Sequence, residues 1–151
     1  MRLLAIGKAG SGPETALFER YAARIKPRLT LAEFSPGTGS PAEIKRREAD
    51  TLLAAIGGGD FAIALDAGGA VLDSPGLAAK LAQWTATGKK LAFVIGGAEG
   101  FDARVLARAD AALSLGALTW PHLLVRPMLA EQIYRAQMIA AGHPYHRSGR
   151  P

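Results

Sequence analysis

The sequence predicts an α/β fold, a mostly parallel β-sheet with helices on both faces, and three observations predict it. Short apolar runs of strand length alternate with longer segments of helical periodicity, the pattern of strands joined by helical crossovers. Leu91–Ile95 is apolar throughout, as suits a strand covered on both faces. The 151 residues contain no internal repeat and no long linker, and they fall within the range of one domain. Residues 1–151 therefore read as a single unit.

Leu3–Gly7 reads as a buried strand and Lys8–Pro13 as a loop. From Glu14 to Lys26, apolar residues at Leu17, Tyr21 and Ile25 recur at a spacing of four, which predicts an amphipathic helix with Pro13 in its first turn. Leu29–Phe34 is a second strand, and Ser35–Ser40 is a loop rich in Gly, Pro and Ser. Pro41–Ile56 is a second helix carrying the charged run Glu43, Lys45, Arg46, Arg47, Glu48 and Asp50, ended by Gly57-Gly58-Gly59. A third strand, Phe61–Leu65, closes at Asp66. Ser74 is the expected cap of a helix that starts with Pro75 and ends near Thr87. Leu91–Ile95 is the fourth strand, Asp102–Arg108 a short helix with Asp102 as its cap, and Ala111–Leu115 the fifth strand. A last helix runs to about Ala141 before a basic, aromatic tail.

Composition narrows the class. The net charge is +5, and 12 of the 18 basic residues are Arg, whose planar fork grips phosphate. An anionic partner and a merely basic surface both fit that charge. There is no cysteine, so neither a disulfide framework nor a thiolate metal site can form. The first apolar run is too short for a signal peptide and no segment approaches a membrane span, so the expected location is the cytoplasm. The apolar fraction of 49% is high for a small monomer, and surplus apolar surface often enters an oligomer interface.

In open α/β sheets, ligands bind beyond the carboxyl ends of the strands. The segments after Leu65, Ile95 and Leu115 lie at such ends. Gly96 and Gly97 let backbone approach a ligand closely, and they serve a tight turn equally well. Leu115, Gly116, Ala117, Leu118, Thr119 and Trp120 form a loop without a charged side chain. It is suited to line an adenine pocket through backbone groups, with Leu118 and Trp120 as walls, or to pack on a partner subunit. Gly7-x-x-Gly10-x-Gly12 follows a strand and precedes a helix, with Glu33 where a ribose-binding acid would sit. Its spacing is neither a dinucleotide fingerprint nor a P-loop, but another nucleotide-dependent enzyme built on that turn stays open. His122, His143 and His146 are the only histidines and are poorly spaced for a metal, so none is expected. Glu131 and Arg135 can pair across one helical turn. In the tail, aromatic rings suit stacking on unstacked bases while arginines hold phosphates. A non-catalytic RNA-binding module is the other open reading.

Several segments together resemble the RlmH (YbeA-like) family of SPOUT-class methyltransferases. They are Leu65-Asp66, Phe93–Gly100, Leu113–His122, Arg126, Glu131–Ala136 and His143–Arg147. The resemblance spans the chain and is most specific from Leu113 to Arg135. It implies S-adenosylmethionine as methyl donor and N3 of a pseudouridine in 23S rRNA, on the assembled ribosome, as acceptor. It also implies a homodimer and a C-terminal trefoil knot, which periodicity alone would never suggest. By the same resemblance, Leu65, Gly97 and Leu115–Trp120, with Gly96 beside them, match the donor pocket. His122, Arg135, Tyr145, His146 and Arg147 match the surroundings of the target base. The chain departs from the family's usual pattern at Ala98, Gly116 and Pro127, and a proline at 127 predicts a helix that starts there or is kinked.

Overall fold

A computed structural model describes residues 1–146. Five strands and five helices alternate: β1 (Arg2–Ile6), α1 (Pro13–Ala22), β2 (Thr30–Phe34), α2 (Pro41–Ala55), β3 (Asp60–Val71), α3 (Ser74–Ala86), β4 (Lys90–Ile95), α4 (Ala103–Arg108), β5 (Ala111–Ser114) and α5 (His122–Ala140). The strands form one sheet in the order β2-β1-β4-β3-β5, and every neighbouring pair is parallel. All strands therefore finish at the same edge of the sheet.

Side chains that alternate along a strand point to opposite faces, and each face builds its own core. Leu3, Ala5, Leu91, Phe93 and Ile95 pack with Phe18 of α1, Leu77 and Leu81 of α3, and Leu129 and Ile133 of α5. Leu4, Ile6, Ala92 and Val94 pack on the other face with Ala49 and Leu52 of α2 and Val105 of α4. Among the described residues no helix is long and apolar enough to cross a membrane.

The ends of the elements show local chemistry at work. At α2, Ser40 Oγ accepts from the Glu43 amide while Glu43 accepts from the Ser40 amide, a reciprocal cap. Asp102 caps α4 as expected, accepting from the Arg104 amide at 2.9 Å. At α3 the cap is Asp73 rather than Ser74, with Asp73 Oδ1 accepting from the Gly76 amide at 2.7 Å. Helix α1 stops at Ala22, four residues before the predicted end, because Pro27 disfavours helical backbone at Lys26 and the chain must turn into β2. Helix α5 starts at His122 and runs through Pro127 instead of beginning there.

The main departure from the expected elements is β3, which continues beyond Asp66 to Val71. It pairs with β5 through Leu65, bulges, then pairs again, so that Leu113 faces both Leu65 and Ala70. Gly69 makes this possible. A Cβ there would lie 2.6 Å from Leu113 N and 2.7 Å from Ala112 C, so the returning chain can press on the β5 backbone only without a side chain.

Candidate active site

The carboxyl edge of the sheet gathers the segments after Leu65, Ile95 and Ser114. Beyond β3 and β5 lies a hollow of about 190 Å³. Leu65, Asp66 and Val125 form part of its wall, and Leu115, Gly116, Ala117, Leu118, Thr119 and Trp120 form much of the remainder. The loop starts with a tight turn in which Ser114 Oγ accepts from the Gly116 amide at 3.2 Å and donates to the Gly116 carbonyl at 3.1 Å. Gly116 has φ +108°, a conformation that L side chains rarely adopt. Among the described residues, no acceptor in the protein takes the amides of Ala117, Leu118, Thr119 or Trp120. Asp66 is the one charged wall residue, and its Oδ1 is engaged by the Gly68 amide at 2.8 Å. A loop without charged side chains, with amides that bond nothing in the protein and one carboxylate elsewhere on the wall, fits a neutral heteroaromatic base carried by a cationic cofactor. The hollow is smaller than the roughly 300–1,000 Å³ usual for ligand pockets. Leu118 is 71% exposed, so this wall lacks a covering element within one chain.

The same Leu113–Gly116 segment also borders a wider, open cavity of about 690 Å³ on its other side. That cavity lies between α1, the start of α3 and α5, and Leu17, Val71, Leu72, Leu124 and Met128 give it an apolar lining. Its size exceeds that of the hollow, yet its walls resemble an uncovered protein surface, and the unused backbone donors lie in the hollow.

Gly96 and Gly97 do not line either space. Continuing the pairing of Ala64 with Val94 sets Gly96 beside Asp66, one strand away from the hollow. Gly97 faces the carboxylate of Glu48 on α2; a Cβ at Gly97 would lie 2.6 Å from Glu48 Oε2.

The residues matched to the target base fall into two groups. His122, the first residue of α5, lies over the β1–α1 turn, with its Nε2 3.1 Å from where a Cβ on Gly7 would be. One helical turn later, the buried Arg126 donates to the Gly7 carbonyl at 2.8 Å and to Glu33 Oε1 at 2.5 Å. Glu33 also accepts from the Ala9 amide at 2.8 Å. The acid proposed for a ribose is therefore engaged, and the cavity at this turn is only about 10 Å³. The second group is at the other end of α5. Arg135 Nη2 donates to Glu131 Oε1 at 2.5 Å, and its guanidinium lies 4.8 Å from the centre of the Tyr145 ring. The Tyr145 hydroxyl donates to Glu131 Oε1 at 3.0 Å, and its ring meets Tyr134 edge-on at 4.9 Å. Burial first, then the Tyr21 hydroxyl and the Glu131 carboxylate, hold the Tyr145 phenol well above its ordinary range, so it stays a donor. His146 follows, half-buried, whereas Arg147 lies outside the described residues. Thirteen residues separate His122 from Arg135, about 20 Å along a helix. One chain does not bring these groups together.

Sequence reasoning missed the roles of Glu33 and Glu48. Glu48 was legible in principle, since Ile44, Glu48, Leu52 and Ile56 recur every four residues, the spacing of a buried stripe.

Residues 1–146 match the family model described as predicted SPOUT methyltransferase. A protein of Acidiphilium cryptum named ribosomal RNA large subunit methyltransferase H is 60% identical over 151 residues, covering 100% of this chain and 96% of that protein. One of the same name from Gluconacetobacter diazotrophicus is 55% identical, covering 100% and 99%. A probable methylase family protein from Haemophilus influenzae shares the fold at a TM-score of 0.58 and 13% identity, over 93% of this chain and 66% of the other.

Proposed function

The chain belongs to the SPOUT methyltransferase family, and from that premise we propose that it methylates N3 of a pseudouridine in 23S rRNA on the assembled ribosome, as a cytoplasmic homodimer using S-adenosylmethionine and no metal. The observation that carries the reading is the uncharged Leu115–Trp120 loop, which lines a hollow beside Leu65 and whose amides at Ala117–Trp120 bond no acceptor in the protein among the described residues. Close relatives named ribosomal RNA large subunit methyltransferase H support large-subunit rRNA as the substrate class.

When bound, S-adenosylmethionine supplies a methyl group made electrophilic by its sulfonium. The protein holds the base through backbone amides of the loop, with Leu65, Leu118 and Trp120 as apolar walls and Gly96-Gly97 as flank. Its remaining tasks concern the acceptor. Alignment of two reactants supplies about 7–11 kcal/mol in favourable cases. Removal of the N3 proton by a placed base adds about 10²–10⁴-fold. His122 and His146 are the imidazoles available for that proton. Arg135 and Arg147 hold the negative charge that develops on the base carbonyls, and Tyr145 donates or stacks.

Two features support a homodimer. The two groups of acceptor residues lie at opposite ends of α5, and a two-fold axis brings one end of α5 to the other end of its mate. The apolar cavity between α1 and α5, where Val71 is 71% exposed, has the character of a covered interface. A trefoil knot accords with the returning segment of β3 lying on β5 at Gly69 while α5, which follows β5, packs between α1 and α3.

The test is a labelled-methyl assay with intact ribosomes and with free rRNA, followed by mapping of the modified base. Label at N3 of one 23S pseudouridine is expected with ribosomes. Binding to rRNA without transfer identifies a non-catalytic module instead.

A further inference from the structure

Glu48 is the one acid buried among the α2 and α4 side chains at the carboxyl edge of the sheet. It is 4% exposed and sits on the apolar stripe of α2. Glu48 Oε1 accepts from the Gly37 amide at 3.0 Å, whereas Oε2 has no hydrogen-bond partner and no solvent access. Glycines flank this carboxylate on two sides. A Cβ on Gly37 would lie 3.4 Å from Glu48 Cγ, and one on Gly97 would lie 2.6 Å from Oε2. The backbone after β4 thus approaches Glu48 as closely as chain without a side chain allows.

An unpartnered carboxylate oxygen in a dry site is costly. Its nearest backbone offers donors: among the described residues, the amides of Gly97, Ala98 and Glu99 donate to no acceptor in the protein, and the loop's only bond to itself runs from the Gly100 amide to the Gly97 carbonyl at 3.1 Å. An orphan acceptor therefore faces a loop with three unused donors. A shift of this loop that brings one amide onto Oε2 satisfies both. Continuing the pairing of Ala64 with Val94 sets Gly96, where this loop begins, beside Asp66 of the hollow's wall, about one strand spacing of 4.8 Å away.

We propose that Glu48 is a positioning residue for the methyl donor: its free carboxylate oxygen latches an amide of the Gly97–Glu99 loop when the donor docks against that loop. The proposal rests on the donor reading given above. The latch makes donor binding and loop order one event, since docking favours the loop position in which Oε2 is satisfied. A purely structural Glu48 would stabilise the fold to the same extent with or without donor.

Glu48→Gln tests this, because it keeps shape and the Oε1 acceptor while replacing the free oxygen with an amide nitrogen that cannot accept. Calorimetry with S-adenosylmethionine is expected to show the dissociation constant rising about tenfold or more, and the melting temperature without donor is expected to hold or rise, because the orphaned acceptor is gone. Hydrogen exchange of the wild-type protein, with and without S-adenosylmethionine, is expected to show protection gained at the amides of 97–99. Wild-type affinity in Glu48→Gln, or affinity and melting temperature falling together, overturns the latch. If the variant does not fold, the exchange measurement decides, and unchanged protection at 97–99 overturns it. Failure of the donor reading looks different, since the wild-type protein would then not bind S-adenosylmethionine.

Discussion

Gly69 and Arg126 each do one physical job that no neighbour can take over. At Gly69 the β5 backbone lies where a Cβ would be. Gly69→Ala must push two strands apart, and overpacking of this kind costs about 1–3 kcal/mol. A clear fall in melting temperature by calorimetry is expected, and an unchanged one would mean the β3–β5 crossing is looser than described. Arg126 joins α5 to the ends of β1 and β2 through Gly7, Ile6 and Glu33. Arg126→Met keeps most of the apolar stem but strands two carbonyls and a carboxylate. Removing one partner of a buried pair costs about 3–5 kcal/mol, and the part-exposed Glu33 places this one near the lower figure. Denaturant titration checks it. If Glu33→Gln in the Arg126→Met background restores much of the loss, the stranded carboxylate is the cause; no recovery assigns the loss to the carbonyls.

At the scale of elements, the strand–helix alternation was legible because parallel strands buried on both faces read as unbroken apolar runs. Leu91–Ile95 showed it plainly. The hidden part was β3 beyond Asp66. Ala67-Gly68-Gly69-Ala70 has the composition of a loop, and only tertiary contact with β5 makes it a strand. The run through α5 was obscured by Pro127, whose lost amide bond is outweighed by burial of Arg126, Pro127, Leu129 and Ala130 in the α5 packing. The uncharged loop after β5 stood out in the sequence because it follows a strand yet carries no charged side chain, and the structure places it along the wall of a hollow. Leu118→Lys tests that element. The side chain is already exposed, so stability should hold. A cation on the wall opposes a sulfonium ligand, and the dissociation constant for S-adenosylmethionine should rise about tenfold, near 1.4 kcal/mol. Unchanged affinity would remove Leu118 from the wall.

At the scale of the whole molecule, the described site residues matched by resemblance, His122 on one side and Arg135 and Tyr145 on the other, lie in two separate groups along α5. No periodicity tells how the groups come together, because that depends on how two copies meet. His122 works with Gly7 at the start of α5, and Arg135 with Tyr145 near its end. If the acceptor site takes one group from each subunit, His122→Ala and Arg135→Ala are each inactive, yet re-paired mixed dimers keep one intact site. Random re-pairing should then recover about a quarter of wild-type turnover. No recovery in mixtures that demonstrably exchange subunits would place both groups in one subunit's site.

The claim that everything else rests on is where the donor sits. Amide chemical-shift mapping during titration with S-adenosylmethionine tests it most directly. The account predicts that the largest shifts fall on Leu65 and on Leu115–Trp120, with the Gly7–Gly12 turn nearly still. Shifts concentrated on Gly7–Gly12, or none at saturating donor, would contradict it.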